Sequence, residues 1–316
     1  MKLNTITLAL AATLGCGLAT AQDTKVGIGI SGWTGFAPLT LAKEAGLFKK
    51  NGLDVSIKKI PQKDRHLAIA SGDIQCAATT VETWIVWNAN GVATTQIFQL
   101  DKSYGADGMV VKPNIAKITD LKGKTVAADA PGTATYFTLA WMLKKNGLSI
   151  KDVTVVNLSP QAAANAMIAG TAQIDAGMTY EPFLSAVRAK PEAGKIIATT
   201  LDYPMVMDTF GCTPKFLAEN PKAAKALADS YFEALDMIKK EPQKSFGIMG
   251  ADVKQTAEAF ENSQKFLRWQ DREANAKFFS GEHAAFSKEA ADLLREVGII
   301  KALPDMSKLA DTRFLK

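Results

Sequence analysis

Asp208 stands inside the run YPMVMDTFGC at 203–212, where Tyr203, Met205, Val206, Met207 and Phe210 read as a buried strand. A carboxylate held away from water costs several kcal/mol unless something pairs with it. Such a charge therefore points to a buried partner or to a cation brought in by a ligand. Glu82, in TTVETW, has two readings. In the first turn of a helix it stabilises the helix dipole by about 0.3–1 kcal/mol; facing a crevice it would favour an amine and repel anions. Glu181, in TYEP, is open to the same pair of readings. PGTATYF at 131–137 offers the opposite chemistry. The turn at Gly132 enters a helix near Thr133 and Thr135, where backbone N–H groups without intrahelical partners suit a small anion. The alternative there is a plain N-cap by Thr133. The rings of Trp33, Trp84 and Tyr180 can wall a pocket, stack on a cation or simply fill a core.

These residues suit capture better than reaction. His66 and His283 are the two histidines, and no H-E-x-x-H, G-x-S-x-G or Walker loop is present. No metal-ligand cluster is visible and no cofactor is expected. GIGISG at 27–32 spells a dinucleotide fingerprint, but Gly27 and Gly29 fall inside a strand rather than in the turn after it. Basic residues come in scattered pairs, such as Lys49-Lys50 and Lys239-Lys240, which read as solvated surface and give nucleic-acid binding no support.

The elements that position these residues alternate from Lys25 to Ile197. The strands KVGIGI, LDVSIKKI, DIQCAATT and VATTQIFQL are separated by helical stretches that include 63–71 and 82–90. The pattern recurs with GKTVAADA, DVTVVNL and QIDAGMT around helices at 133–146 and 160–169, followed by a helix at 182–190. Alternation of this kind implies α/β architecture with parallel, doubly wound sheets. LAIASGDIQCAATT and AMIAGTAQIDAGMT echo each other and suggest equivalent units in two lobes. After Pro214 only helices are expected, as a C-terminal layer. Ligands bind outside the carboxyl ends of parallel strands. That edge collects Trp33, Thr80, Glu82, Asp107, Gly132, Thr133, Thr135, Tyr180 and Glu181, with Asp208 on a returning strand.

The chain has 316 residues, 47% hydrophobic and 22% charged, enough for two lobes with separate cores. Lys2, an apolar stretch from about Ile6 to Leu18, and Ala19-Thr20-Ala21 have the form of a secretory signal peptide over 1–21. Its removal takes the formal charge from +5 to +4. The expected address is the periplasm; a lipid-modified Cys16 after Thr13-Leu14-Gly15 is the competing reading. Cys76 and Cys212 remain, and an oxidising compartment permits either a bridge or two buried thiols.

SGWTGFAPLTLAKEAGLFKKNGLDV, ASGDIQCA, GADGMVVKP, LKGKTVAADAPGTATYF, AGTAQIDAGMTYEP and LADTRFL follow one another in the chain. In that order they resemble periplasmic solute-binding proteins of the nitrate/sulfonate/taurine (NitT/TauT) class of ABC importers. The resemblance implies a two-lobed, type II-like binding-protein fold whose doubly wound sheets are joined by two strand crossovers. These are expected near Val110–Val111 and Met205–Val206. The implied units are residues 22–110 and 207–316 in the first lobe, with the helical tail returning to it, and 111–206 in the second. It further implies capture of a small solute by lobe closure, a membrane permease and ATPase as partners, and a monomeric receptor. In taurine-binding relatives, an aspartate similar to Asp208 in Pro204…Asp208 contacts the ligand amine, and a segment resembling GTATYF borders the cleft. Sulfonate binders carry small residues near Val81 and Glu82; the carboxylate here departs from them and favours a cationic or zwitterionic solute. The alternatives are a sulfonate- or nitrate-type anion with structural acids, and thiamine-precursor or desulfination enzymes of similar fold.

Overall fold

The computed structural model describes residues 22–316; the signal-peptide and Cys16 readings lie outside the described residues. In chain order the strands are β1 (Thr24–Ile30), β2 (Leu53–Lys59), β3 (Cys76–Thr80), β4 (Thr95–Ser103), β5 (Asp107–Val111), β6 (Thr125–Ala128), β7 (Thr154–Asn157), β8 (Ala176–Tyr180), β9 (Lys195–Thr199), β10 (Met207–Cys212) and β11 (Leu267–Trp269). They form two sheets, ordered β11-β4-β10-β3-β1-β2 and β7-β6-β8-β5-β9. The echoed segments occupy equivalent places: β3 and its preceding helix Gln62–Ala70 match β8 and Pro160–Ile168, each strand lying beside the first strand of its sheet.

The chain crosses between the sheets twice, and each crossing delivers a strand that runs against its neighbours. β10 pairs antiparallel with β3 and β4, and β5 pairs antiparallel with β8 and β9. An antiparallel strand presents its amino end where parallel strands present their carboxyl ends. Asp208 therefore lies opposite Thr80, and Asp107 lies opposite Tyr180, at the facing edges of the sheets. The second crossing, between Thr199 and Met207, contains the expected Met205–Val206. The first lies between Ser103 and Asp107 rather than at Val110–Val111, because β5 already belongs to the second sheet. Asp101, Lys102 and Ser103 look like the end of a strand in sequence, yet β4 runs through them. Thr200 ties the crossings together: its hydroxyl lies 2.6 Å from Ser103 Oγ and accepts the Gly105 N–H at 2.9 Å.

The tail adds one strand to the expected helices. β11 is three residues long and exists by pairing with the edge of β4. Helix Pro221–Lys240 buries Leu227, Tyr231 and Leu235 against the first sheet, where Phe98 stacks between Phe210 and Tyr231 at 4.9 and 5.1 Å. Helix His283–Glu296 instead spans both halves. Its apolar face packs against Val81, Ile85 and Val86 and against Phe137 and Trp141, and Lys145 pairs with Glu289 at 2.9 Å. The tail thus returns to the first sheet and also braces the helix Ala134–Lys145 of the second.

Cys76 and Cys212 face each other across β3 and β10 and form a disulfide that closes 136 residues of chain. A loop of that length removes much freedom from the unfolded chain. The double variant Cys76→Ala/Cys212→Ala is expected to lose about 2–5 kcal/mol in urea unfolding. A reductant should shift the midpoint of the wild type and leave the variant unmoved.

Candidate functional site

Between the facing edges lies a small cavity of about 20 Å³. Asp107, Asp208, Thr80, Trp33 and Tyr180, five of the residues read from sequence, line it together with Arg65, Gln62 and Ser31. Trp33 and Tyr180 meet edge to face across it with centroids 5.4 Å apart. Behind Asp208 stands Asp101, its register partner on β4, and beside Thr80 stands Glu82 in the first turn of helix Val81–Ala89. All four carboxyl groups are at most 3% exposed.

Their surroundings explain how so many acids stay buried. Asp101 and Asp208 are buried register partners whose carboxyl groups act on each other. Burial holds both well above the ordinary carboxylate range, and the neighbouring acids add to this. Trp33 Nε1 donates to both Asp101 oxygens at 3.2 and 3.4 Å. This contact is why SGWTGF needs its second glycine: a Cβ on Gly35 would collide with the Asp101 carboxyl and the Trp33 ring. Burial pushes Glu82 up to about 8 despite the hydrogen bond from the Thr80 hydroxyl. Asp107 is raised to about 7, again by burial first, with Glu181 adding to the rise. Asp107 Oδ2 and Glu82 Oε2 have no hydrogen-bond partner.

Arg65, fully buried, reaches the cavity from helix Gln62–Ala70. Its Nε and one terminal nitrogen donate to the Ile60 carbonyl at 3.3 and 2.9 Å, and its other terminal nitrogen donates to the Ala78 carbonyl. Burial lowers it to about 10, so it keeps its charge at neutral pH. Gly29 makes room for it, since a Cβ there would stand 3.0 Å from Arg65 Cγ and 2.6 Å from Ile74 Cδ1. The glycines of GIGISG thus lie in β1, and one of them admits a buried arginine. Gln62 joins the halves: its amide donates to Thr79 at 2.7 Å and Thr83 at 3.0 Å, and its oxygen accepts the Ala134 N–H at 3.1 Å.

Five of the residues read from sequence do not line the cavity: Glu82, which stands beside Thr80, and Glu181, Gly132, Thr133 and Thr135. Glu181 turns its carboxylate to Arg188 and to the Ser185 N–H at 3.2 Å. Gly132, at φ +90°, packs 3.1 Å from Val86 when a Cβ is placed on it, and its carbonyl accepts from Thr83 at 3.4 Å. The Thr133 hydroxyl donates to the Ala130 carbonyl at 2.8 Å, and the Thr135 hydroxyl accepts the Asp129 N–H at 3.2 Å. With Thr133 N–H and Ala134 N–H also engaged, much of the expected anion-binding turn is occupied by the protein itself. Trp84 is core, donating to Thr209 at 2.8 Å and packing on Trp87.

Three residues escaped sequence reading. Asp101 follows the expected strand VATTQIFQL, Arg65 falls inside the expected helix 63–71, and Gln62 just precedes it. The one signal was Gly29, a strand glycine without a turn to explain it.

A family model described as NMT1/THI5 like matches residues 33–245, well over half of the chain. The chain belongs to this family. The taurine-binding periplasmic protein of Escherichia coli (strain K12) is 27% identical over 219 residues, covering 67% of each chain. Among solved structures, the alkanesulfonate-binding protein SsuA from Xanthomonas axonopodis pv. citri, bound to MOPS, superposes with a TM-score of 0.78 at 18% identity. That match covers 92% of this chain and 100% of the other. The periplasmic nitrate-binding protein NrtA from Synechocystis PCC 6803 gives 0.73 at 19% identity, over 92% and 86% of the two chains. The desulfurization enzyme DSZB gives 0.66 at 13% identity, over 93% and 98%. These likenesses establish the two-lobed periplasmic-binding-protein fold for this member of the family.

A carboxyl group whose pKa is higher folded than unfolded makes the folded state bind more protons, so stability falls as pH rises between the two values. For Glu82 that window runs from about 4.5 to about 8. Glu82→Gln, which cannot ionise, is expected to match the wild type at about pH 4 and to exceed it by a few kcal/mol at about pH 9. Thermal melts of the empty proteins across that range check this; parallel curves would contradict it.

Proposed function

We propose that this chain is the periplasmic solute-binding component of an ABC importer, capturing a small nitrogen-bearing solute that is cationic or zwitterionic. The observation that carries this reading is the meeting of buried carboxyl groups from both sheets on one cavity, with Asp107 Oδ2 and Glu82 Oε2 left without donors. Buried polar atoms are ordinarily satisfied, and an ammonium or guanidinium group supplies several N–H donors together with the missing positive charge. In this reading Asp208, Asp107, Glu82 and Asp101 hold the cation, Thr80 orients Glu82, and Trp33 and Tyr180 enclose the solute body.

Capture follows from the two crossings. The lobes rotate about the segments 104–106 and 200–206, and closure is held by Thr34 N–H to the Glu181 carbonyl at 3.4 Å and by Gln62 to Ala134. The closed receptor, acting as a monomer, would then dock on a membrane permease driven by an ATPase. Family membership, the resemblance to a taurine-binding periplasmic protein, and the signal-like start of the chain support this role and this address.

A sulfonate- or nitrate-type anion is the second reading, favoured by the similarity in fold to an alkanesulfonate-binding and a nitrate-binding protein. Titration calorimetry with taurine, guanidinium and nitrate separates the two. Asp208→Asn should weaken binding of the amine-bearing ligand by about 30-fold or more, the usual loss when one side of a buried charged contact is removed. Tight nitrate binding with no response to amines would end the cation reading.

A further inference from the structure

We propose that Arg65 reads the anionic end of the solute, so that the site selects short zwitterions, an amine and a carboxylate or sulfonate a few bonds apart, over simple amines and simple anions. This rests on the cation reading of Asp208 and its neighbours and adds a second, opposite pole to the same cavity.

Arg65 is 0% exposed and lines the cavity, yet its protein hydrogen bonds go to the backbone carbonyls of Ile60 and Ala78. Carbonyls satisfy N–H groups without neutralising the charge. Those three bonds use three of the five guanidinium N–H donors, which leaves one on each terminal nitrogen. Two donors side by side on a planar cation match a carboxylate or sulfonate. Ser31 and Tyr180 line the cavity with Arg65, and each carries a hydroxyl that can donate a hydrogen bond. They make that side of the cavity rich in donors. The protein maintains this arrangement at a cost to β1, where Gly29 gives up a side chain to admit the arginine stem.

The two poles are close together. Arg65 and Asp208 line the same small cavity, and Arg65 is near enough to act electrostatically on Asp208. A simple amine seated at Asp208 would meet an uncompensated guanidinium charge beside it. A zwitterion brings its own anion to that charge and leaves neither pole unpaired. A site built to bond a group rejects analogues that lack it, because its own buried polar atoms are then stranded.

Calorimetric titration of the wild type with taurine, β-alanine, propylamine and ethanesulfonate needs no variant. At least one zwitterion should bind about 100-fold or more tighter than both propylamine and ethanesulfonate. Arg65→Gln should then weaken that zwitterion and tighten propylamine, a crossed response that loss of folding does not produce. If propylamine binds within about tenfold of the better zwitterion, Arg65 is only a counter-charge to Asp208: the proposal falls and the cation reading stands. If ethanesulfonate binds as well as taurine while propylamine gives no heat, the cation reading itself has failed. Absence of binding by both zwitterions overturns the proposal as well.

Discussion

The structure turns on a single electrostatic constraint: carboxyl groups taken out of water at the facing edges of two sheets, with two of them directly opposite each other. Asp101 and Asp208 are register partners on adjacent antiparallel strands, a position where like charges destabilise a sheet. Carboxyl groups held well above their ordinary range, the Trp33 indole and the charge of Arg65 make the pairing tolerable. Gly35 exists to let the indole and the carboxyl approach, and Gly29 to let the arginine in. Much of the local sequence in SGWTGF and GIGISG is thus the consequence of housing these charges.

Such a site needs rigid edges on lobes able to move. The β10 strand illustrates how both needs are met. One end carries Asp208 at the cleft, the other is fastened to β3 through the Cys76–Cys212 bridge, and its middle is stacked through Phe210 and Phe98 onto Tyr231. In the proposed closure the short crossings, which Thr200 keeps side by side, would carry the motion. Helix His283–Glu296 spans the two halves behind them, so opening must slide or strain its contacts with Phe137 and Trp141.

Sequence reading found the alternation, the repeated unit and the second crossing because each rests on local periodicity and composition. Asp208, Asp107, Thr80, Trp33 and Tyr180, which line the cavity, stand out in the sequence because they sit at strand edges or break an apolar run. Sequence reading placed the first crossing too late and cut β4 short for one reason: polar residues that line a cleft look in sequence like polar residues that end a strand. β11 does not stand out in the sequence because three residues are too few for an alternating pattern and become a strand only when an edge is offered to them.

The sequence by itself determined the class of fold, the presence of buried acids and the order of the parts, since hydrophobic period and strand-edge position are properties of neighbouring residues. Only the tertiary structure decided which acids meet, that Cys76 finds Cys212, that Glu181 is consumed by Arg188, and that Arg65 stands inside the cavity. Those outcomes depend on residues far apart in the chain whose charges interact over a few ångströms. Strand order and register set such distances; composition along the chain does not.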